Sequence, residues 1–230
     1  MNPGIVVLLS EFCALFNSAC QQLGKLARSN KSMSKKNRSQ DYFASLEYPA
    51  DWEREYRETG VVSAWKHFRR GSKPLGGLGG FGQYALQHLL RDRGIPSVTW
   101  LYVASIDHVA RGLLREHKRW APASPRRTLK DFVQIKRNWA TMREQMDDDR
   151  FDALQGRIVE AGFTGYRGEP DLFCFGPDKA WLFAEAKRPK DELRPSQVKW
   201  FRVAKNVLGA SHQVRLYRVI PAGTDRDIAS

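Results

Sequence analysis

The alternation of apolar and polar positions is clearest in the last third of the chain. Leu154, Ile158 and Ala161 share one helical face, which predicts a helix over 152–161 ended by Gly162. Leu172 to Phe175 is a short apolar run and predicts a strand. Gly176-Pro177-Asp178-Lys179 reads as a turn, and Ala180 to Lys187 as a second strand. Pro195 suits the first turn of a helix running to about Leu208, with Gly209 as its stop. Gln213 to Ile220 predicts a final strand. The order helix, strand, strand, helix, strand describes a mixed α/β unit.

Upstream the pattern is less regular. Leu8, Phe12, Leu15 and Phe16 fall at helical spacing and predict an N-terminal helix. The apolar run Ile5 to Leu9 is too short to span a membrane, and no Lys or Arg precedes it as in a signal peptide. Residues 25–40 hold six basic residues, no acid and almost nothing apolar. This stretch reads as a flexible basic linker, either lying along phosphates or solvated as a tail. Residues 41–70 mix Tyr42, Phe43, Trp52, Tyr56, Trp65 and Phe68 with charges, which predicts packed helical structure with aromatics in the core. The glycine-rich 71–82 lacks the Gly-Lys-Ser/Thr ending of a phosphate-binding loop and reads as a mobile connection. A helix over Tyr84–Asp92, a strand over Ser97–Ala104 and a helix over Asp107–Trp120 follow. Next come a linker at 121–127 and a basic helix at 128–146. Asp147, Asp148 and Asp149 read as a solvated helix start, because adjacent side chains on a helix do not converge on one point. The expected organisation is a helix and basic linker over 1–40, a mostly helical basic region over 41–150, an α/β core over 151–222 and a tail over 223–230.

Charge narrows the partners. The chain of 230 residues carries 38 basic and 25 acidic residues, a net charge of +13, with most of the excess before residue 151. Such a balance favours a polyanion, nucleic acid ahead of an anionic membrane surface. The apolar fraction of 42% is enough for a packed core. Three cysteines, Cys13, Cys20 and Cys174, cannot build a disulfide framework, so an intracellular protein with free thiols is expected. Five scattered histidines and the cysteine spacing match no zinc site. Trp181 and Trp200 are expected in the core rather than as stacking platforms for bases.

One grouping carries possible chemistry. Pro170-Asp171 opens the first core strand and Glu185-Ala186-Lys187 closes the second. Glu185 and Lys187 point to one face because strand side chains alternate. If Phe175 pairs with Ala180, Asp171 lies opposite Ala184, one residue from Glu185, and a bulge or bend at Pro170 closes the gap. Two carboxylates can hold Mg²⁺ with waters and a substrate phosphate, and the lysine can orient water or neutralise phosphate charge. The same spacing also fits a surface salt bridge between Glu185 and Lys187, with Asp171 as a turn residue.

The segment from Gly168 to Phe201 resembles the VRR-NUC family of the PD-(D/E)xK nuclease superfamily. The likeness rests on Gly168-x-Pro170-Asp171-Leu172, Glu185-x-Lys187, Asp191, Leu193 and Gln197-x-x-Trp200. It implies a restriction-endonuclease-like mixed sheet flanked by helices, and a metal-dependent nuclease acting on DNA rather than RNA. It further implies Asp171 and Glu185 as ligands of Mg²⁺ or Mn²⁺, Lys187 as the catalytic lysine, and Gln197 as an active-site residue with Trp200 packed beside it. A nucleic-acid-binding module that keeps the fold without the chemistry is the alternative. A weaker likeness, through Asp149-Arg150-Phe151 and the helix near Tyr84-Ala85-Leu86, is to the nuclease domain of Fanconi-associated nucleases. Those enzymes carry a further glutamate on an upstream helix. The corresponding stretch here, Gly-Gly-Leu-Gly-Gly-Phe-Gly, holds no acid, which leaves Glu160 and Asp152 as candidates for a third ligand.

The 25–40 segment has a direct test. If it binds phosphates, deleting it weakens DNA binding and reduces the slope of log K against log salt. The reduction is about 0.9 for each duplex phosphate that the segment neutralises. An unchanged slope identifies a solvated tail.

Overall fold

Five strands form one mixed sheet, and its polarity follows from what connects them. The computed structural model describes residues 43–65, 78–104, 125–163, 167–209 and 214–224. The expected N-terminal helix, the basic segment 25–40, residues 71–77 of the glycine-rich stretch, the helix at 107–120 and residues 225–230 lie outside the described residues. The strands are β1 (Phe43–Tyr48), β2 (Ser97–Thr99), β3 (Leu172–Phe175), β4 (Trp181–Lys187) and β5 (Val214–Pro221). The helices are α1 (Trp52–Thr59), α2 (Phe81–Asp92), α3 (Pro125–Met146), α4 (Asp148–Glu160) and α5 (Pro195–Leu208). The sheet order is β1-β5-β4-β3-β2. β2, β3 and β4 run antiparallel to one another, whereas β4, β5 and β1 are parallel. Parallel neighbours need a crossover, and α5 supplies it between β4 and β5.

β4 is buried along its whole length, as suits a central strand covered on both faces. Trp181 and Phe183 face a cluster with Met142, Phe151, Leu154, Ile158, Trp200 and Leu208. That is the face of α3, α4 and α5. The opposite face of β4 carries Leu182, Ala184 and Ala186. Small residues there admit α2 closely: a Cβ on Gly82 would lie 3.7 Å from that of Ala186. A second aromatic cluster of Tyr48, Trp52, Tyr56, Trp65 and Phe81 packs beside α2, with all five rings buried. Trp52, Tyr56 and Trp65 are core, as expected, whereas Tyr42 and Phe68 lie outside the described residues.

Several sequence expectations hold. α5 runs from Pro195 to Leu208 and stops at Gly209. β3 spans Leu172–Phe175 as predicted. Asp147 caps α4 by accepting from the Arg150 N–H at 2.8 Å, so the acidic triplet is a helix start.

Others need correction. Residues 43–48 form a strand, not a helix, paired in parallel with β5. Pro49 and the turn at Asp51 separate it from α1, and six residues are too few for helical and strand periods to be told apart. β1 and β2 are the two edges of the sheet that holds β3–β5, so the fold does not begin at 151. β2 ends at Thr99, not at Ala104, because Trp100 and Tyr102 adopt left-handed backbone at φ 57° and 46°. The expected linker at 121–127 is shortened by α3, which starts at Pro125. The β3–β4 register also differs by one residue. Phe175 pairs with Trp181, not Ala180, because the connection contains a 3-10 turn at Pro177–Lys179 closed by the Gly176 N–H on the Ala180 carbonyl at 2.8 Å.

Gly168 ties the approach to β3 onto the start of α5. Its φ is +86°, and a Cβ there would meet the Ser196 carbonyl oxygen at 2.5 Å. Both the backbone and the space therefore exclude a side chain. Gly168→Ala is expected to destabilise the chain by about 2–4 kcal/mol, read from the denaturant midpoint. A change below about 0.5 kcal/mol would mean that these two segments do not touch in solution.

Candidate active site

Antiparallel register brings the acids of β3 and β4 together without a bulge. The last ladder pair is Leu172 with Ala184, so Asp171 is the next position along and faces Glu185. Asp171 Oδ2 accepts from the Ala186 N–H at 2.9 Å, which fixes the carboxylate against the end of β4. Its backbone carbonyl accepts from Gln83 Nε2 at 3.1 Å. Glu185 and Lys187, two residues apart on one face of β4, are 2% and 5% exposed. Lys187 Nζ stands 2.8 Å from Glu185 Oε1 and donates at 2.8 Å to Gln197 Oε1.

Gln197 comes from the first turn of α5. Its Oε1 also accepts from the Arg194 N–H at 3.0 Å, and its Nε2 donates to Glu185 Oε1. One amide thus caps the helix, holds the lysine and holds the carboxylate. Trp200, one turn on, packs edge-on against Phe183 at 5.2 Å and fixes α5 over β4. All four expected site residues, Asp171, Glu185, Lys187 and Gln197, converge at one end of the sheet. The surface salt bridge considered from spacing is a buried pair, and Asp171 is not a bystander in a turn.

The electrostatics are unbalanced. Burial, then the charge of Glu185, pushes the Asp171 carboxyl up to about 7. Burial also raises Glu185, against the opposing charge of Lys187. The Asp171 N–H eases Glu185 slightly, yet Glu185 Oε2 closes no hydrogen bond. A buried carboxylate oxygen without a partner is costly and invites a cation. Oxygen donors alone suit a hard divalent ion such as Mg²⁺ or Mn²⁺. Among the described residues no group of three or more His, Cys, Asp or Glu is placed to hold a metal. Asp171 and Glu185 are the pair of carboxylates that could hold such an ion.

The candidate third ligands are elsewhere. Asp152 pairs with Arg143, and Glu160 pairs with Arg157 at 2.8 Å, both exposed on α4. An arginine within reach on the same or the preceding helix takes each of them. Two other polar residues, not singled out from the sequence, adjoin the site instead. Gln83 reaches Asp171 from α2. Glu169 is buried and accepts from the Tyr102 and Val103 N–H groups at 2.8 and 2.6 Å, clasping the loop after β2. Burial, only partly offset by these donors, pushes Glu169 up to about 8. Neither interaction has a local signature, since the partners lie 88 and 67 residues away.

No family model, curated protein or solved structure matches the chain.

Both raised carboxyls bind a proton more tightly in the folded than in the unfolded chain. Folding stability in chelator should therefore fall as pH rises from about 4 through about 7 for Asp171 and about 8 for Glu169, then level off. Asp171→Asn removes one of these contributions and should flatten the fall, as measured by denaturant midpoints across that range. Identical profiles would show that Asp171 titrates normally.

Proposed function

We propose that the chain is a metal-dependent nuclease that hydrolyses phosphodiester bonds in DNA, with a restriction-endonuclease-like core of the VRR-NUC kind. The observation that carries this reading is the meeting of half-buried Asp171 with buried Glu185 and Lys187, one Glu185 oxygen being left unpartnered. The β3–β4 hairpin, the α5 crossover and the parallel β5 support the core assignment. The net charge of +13 supports a polyanionic substrate. Residence inside the cell belongs to the same proposal, and among the described residues no helix is long and apolar enough to cross a membrane.

In this reading Asp171 and Glu185 hold Mg²⁺ or Mn²⁺. A divalent ion bound there supplies Lewis acidity toward the phosphate and lowers the pKa of a coordinated water. Asp171 is held in place by the Ala186 N–H, so little reorganisation accompanies its use. Lys187 places a positive charge at the reacting centre and neutralises charge that builds on the phosphate oxygens. Gln197 orients both Lys187 and Glu185 and cannot itself move a proton at neutral pH.

One observation favours the second reading, a binding module without chemistry. Lys187 is already engaged by Glu185 and Gln197, so the group is internally paired to a degree.

Two variants separate the readings. Lys187→Met should lower cleavage on the order of 100- to 1000-fold, the usual effect of removing one stabilising donor. It leaves Glu185 buried and unpaired, so it should also cost up to about 3–5 kcal/mol without metal. Mn²⁺ should restore more stability to this variant than to the wild type. Asp171→Ala should lose metal affinity and activity together, measured by calorimetry and cleavage rate. Wild-type activity should vanish in EDTA and return with Mg²⁺. Cleavage at the wild-type rate by Lys187→Met would falsify the catalytic assignment and leave the binding module.

A further inference from the structure

The tryptophans predicted to be core are buried, Trp181 at 6% and Trp200 at 0% exposed, whereas Trp100 is 40% exposed. Its position is set by the sheet. The last β2–β3 pair is Thr99 with Leu172, so the next positions along are Trp100 and Asp171. Tyr84, on α2, is near enough to both Trp100 and Asp171 to be influenced by each. The exposed indole therefore belongs to a residue whose backbone lies next to that of Asp171.

Its backbone is held unusually firmly for a loop. A φ of 57° disfavours any residue with a Cβ, and such conformations persist only where surroundings enforce them. Here they do. Asn138 donates to the Thr99 carbonyl, Trp139 to Leu101 at 2.7 Å and Gln155 to Val103 at 2.9 Å, while Glu169 takes the next amides. Side chains from α3 and α4 and from the approach to β3 thus hold the loop. The other exposed large apolar residues among those described, Val133, Val159 and Val198, offer no flat face.

We infer that Trp100 is a stacking platform for an unpaired nucleobase beside the reacting phosphate. Single-stranded DNA would then be bound more tightly than a blunt duplex of equal length. The inference rests on the nuclease reading for the position of that phosphate. Every base has a π-face, so stacking is tolerant of sequence, and a preorganised ring loses little freedom on binding. Bases inside a blunt duplex are stacked on each other and have no face to offer.

The test uses the full chain in chelator, so that cleavage does not intervene. It is titrated with a single-stranded oligodeoxynucleotide carrying 2-aminopurine, and with a blunt duplex of equal length. Trp100→Ala should bind the single strand roughly five- to 150-fold more weakly per stacked base and the duplex as the wild type does. Trp100→Phe should keep most of the affinity. Trp100→Asn suits left-handed backbone, so it should stay folded and lose single-strand binding as Trp100→Ala does. Unchanged single-strand binding by Trp100→Asn, or an equal loss on both probes, would overturn the inference while leaving the nuclease reading intact. Wild type that binds neither probe would overturn both.

Discussion

At the end of β4 a buried carboxylate, Glu185, and a buried ammonium, Lys187, meet the half-buried carboxylate of Asp171, which leaves one more acid than buried cation among the described residues. Lys187 is the buried cation among the described residues, and its Nζ is committed to Glu185 and Gln197. Arg194 acts on Asp171 from an exposed position at the start of α5. Transfer of an ion out of water is expensive unless it is paired and hydrogen-bonded. The chain meets that cost through geometry. The close approach of Gly168 to Ser196 seats the first turn of α5 over β4, and only that seating lets Gln197 reach both Glu185 and Lys187. The packing of Trp200 on Phe183 belongs to the same arrangement.

The remaining imbalance has two resolutions, and they make different demands on the protein. Asp171 can hold its proton to about neutral pH, as its raised pKa indicates. Alternatively a cation can enter and let both carboxylates ionise. A group built only for stability would be served as well by apolar side chains of similar size. Two acids and a lysine gathered at the end of β4, as the proposed function requires, are easier to understand as a place where charge arrives and leaves.

Much of this core was legible because its signals are local. Pro195 and Gly209 bound α5, an apolar run marks β3, and the alternation in β4 puts Glu185 and Lys187 on one face. The meeting with Asp171 was legible only up to the turn. A four-residue connection places Asp171 opposite Ala184, and the 3-10 turn at Pro177–Lys179 moves it opposite Glu185. Turn geometry sets register, and one residue decides which side chains meet. β1 is not legible in the sequence because its six residues owe their strand state to β5, 173 positions away (Phe43 pairs with Leu216). Asp152 and Glu160 were attractive as acids near the core, and the arginines that claim them are visible only in three dimensions.

The loop after β2 shows why exposed function is harder to read than buried structure. Ser97–Ala104 has the apolar content of a strand, and its first three residues are one. Beyond Thr99 the backbone exchanges ladder hydrogen bonds for side-chain partners, with Asn138, Trp139, Gln155 and Glu169 as its clamps. Three of these donate to carbonyls and the fourth accepts from amides, so polar groups that a strand would have paired are satisfied without one. No periodicity encodes that exchange, because it depends on α3, α4 and the approach to β3 arriving together. Its product is an exposed aromatic residue on a clamped backbone, at the edge where β2 and β3 stop pairing. A sheet that continued its ladder by one more pair would have turned Trp100 into another core residue. Ending the ladder at Thr99 is what leaves the ring exposed.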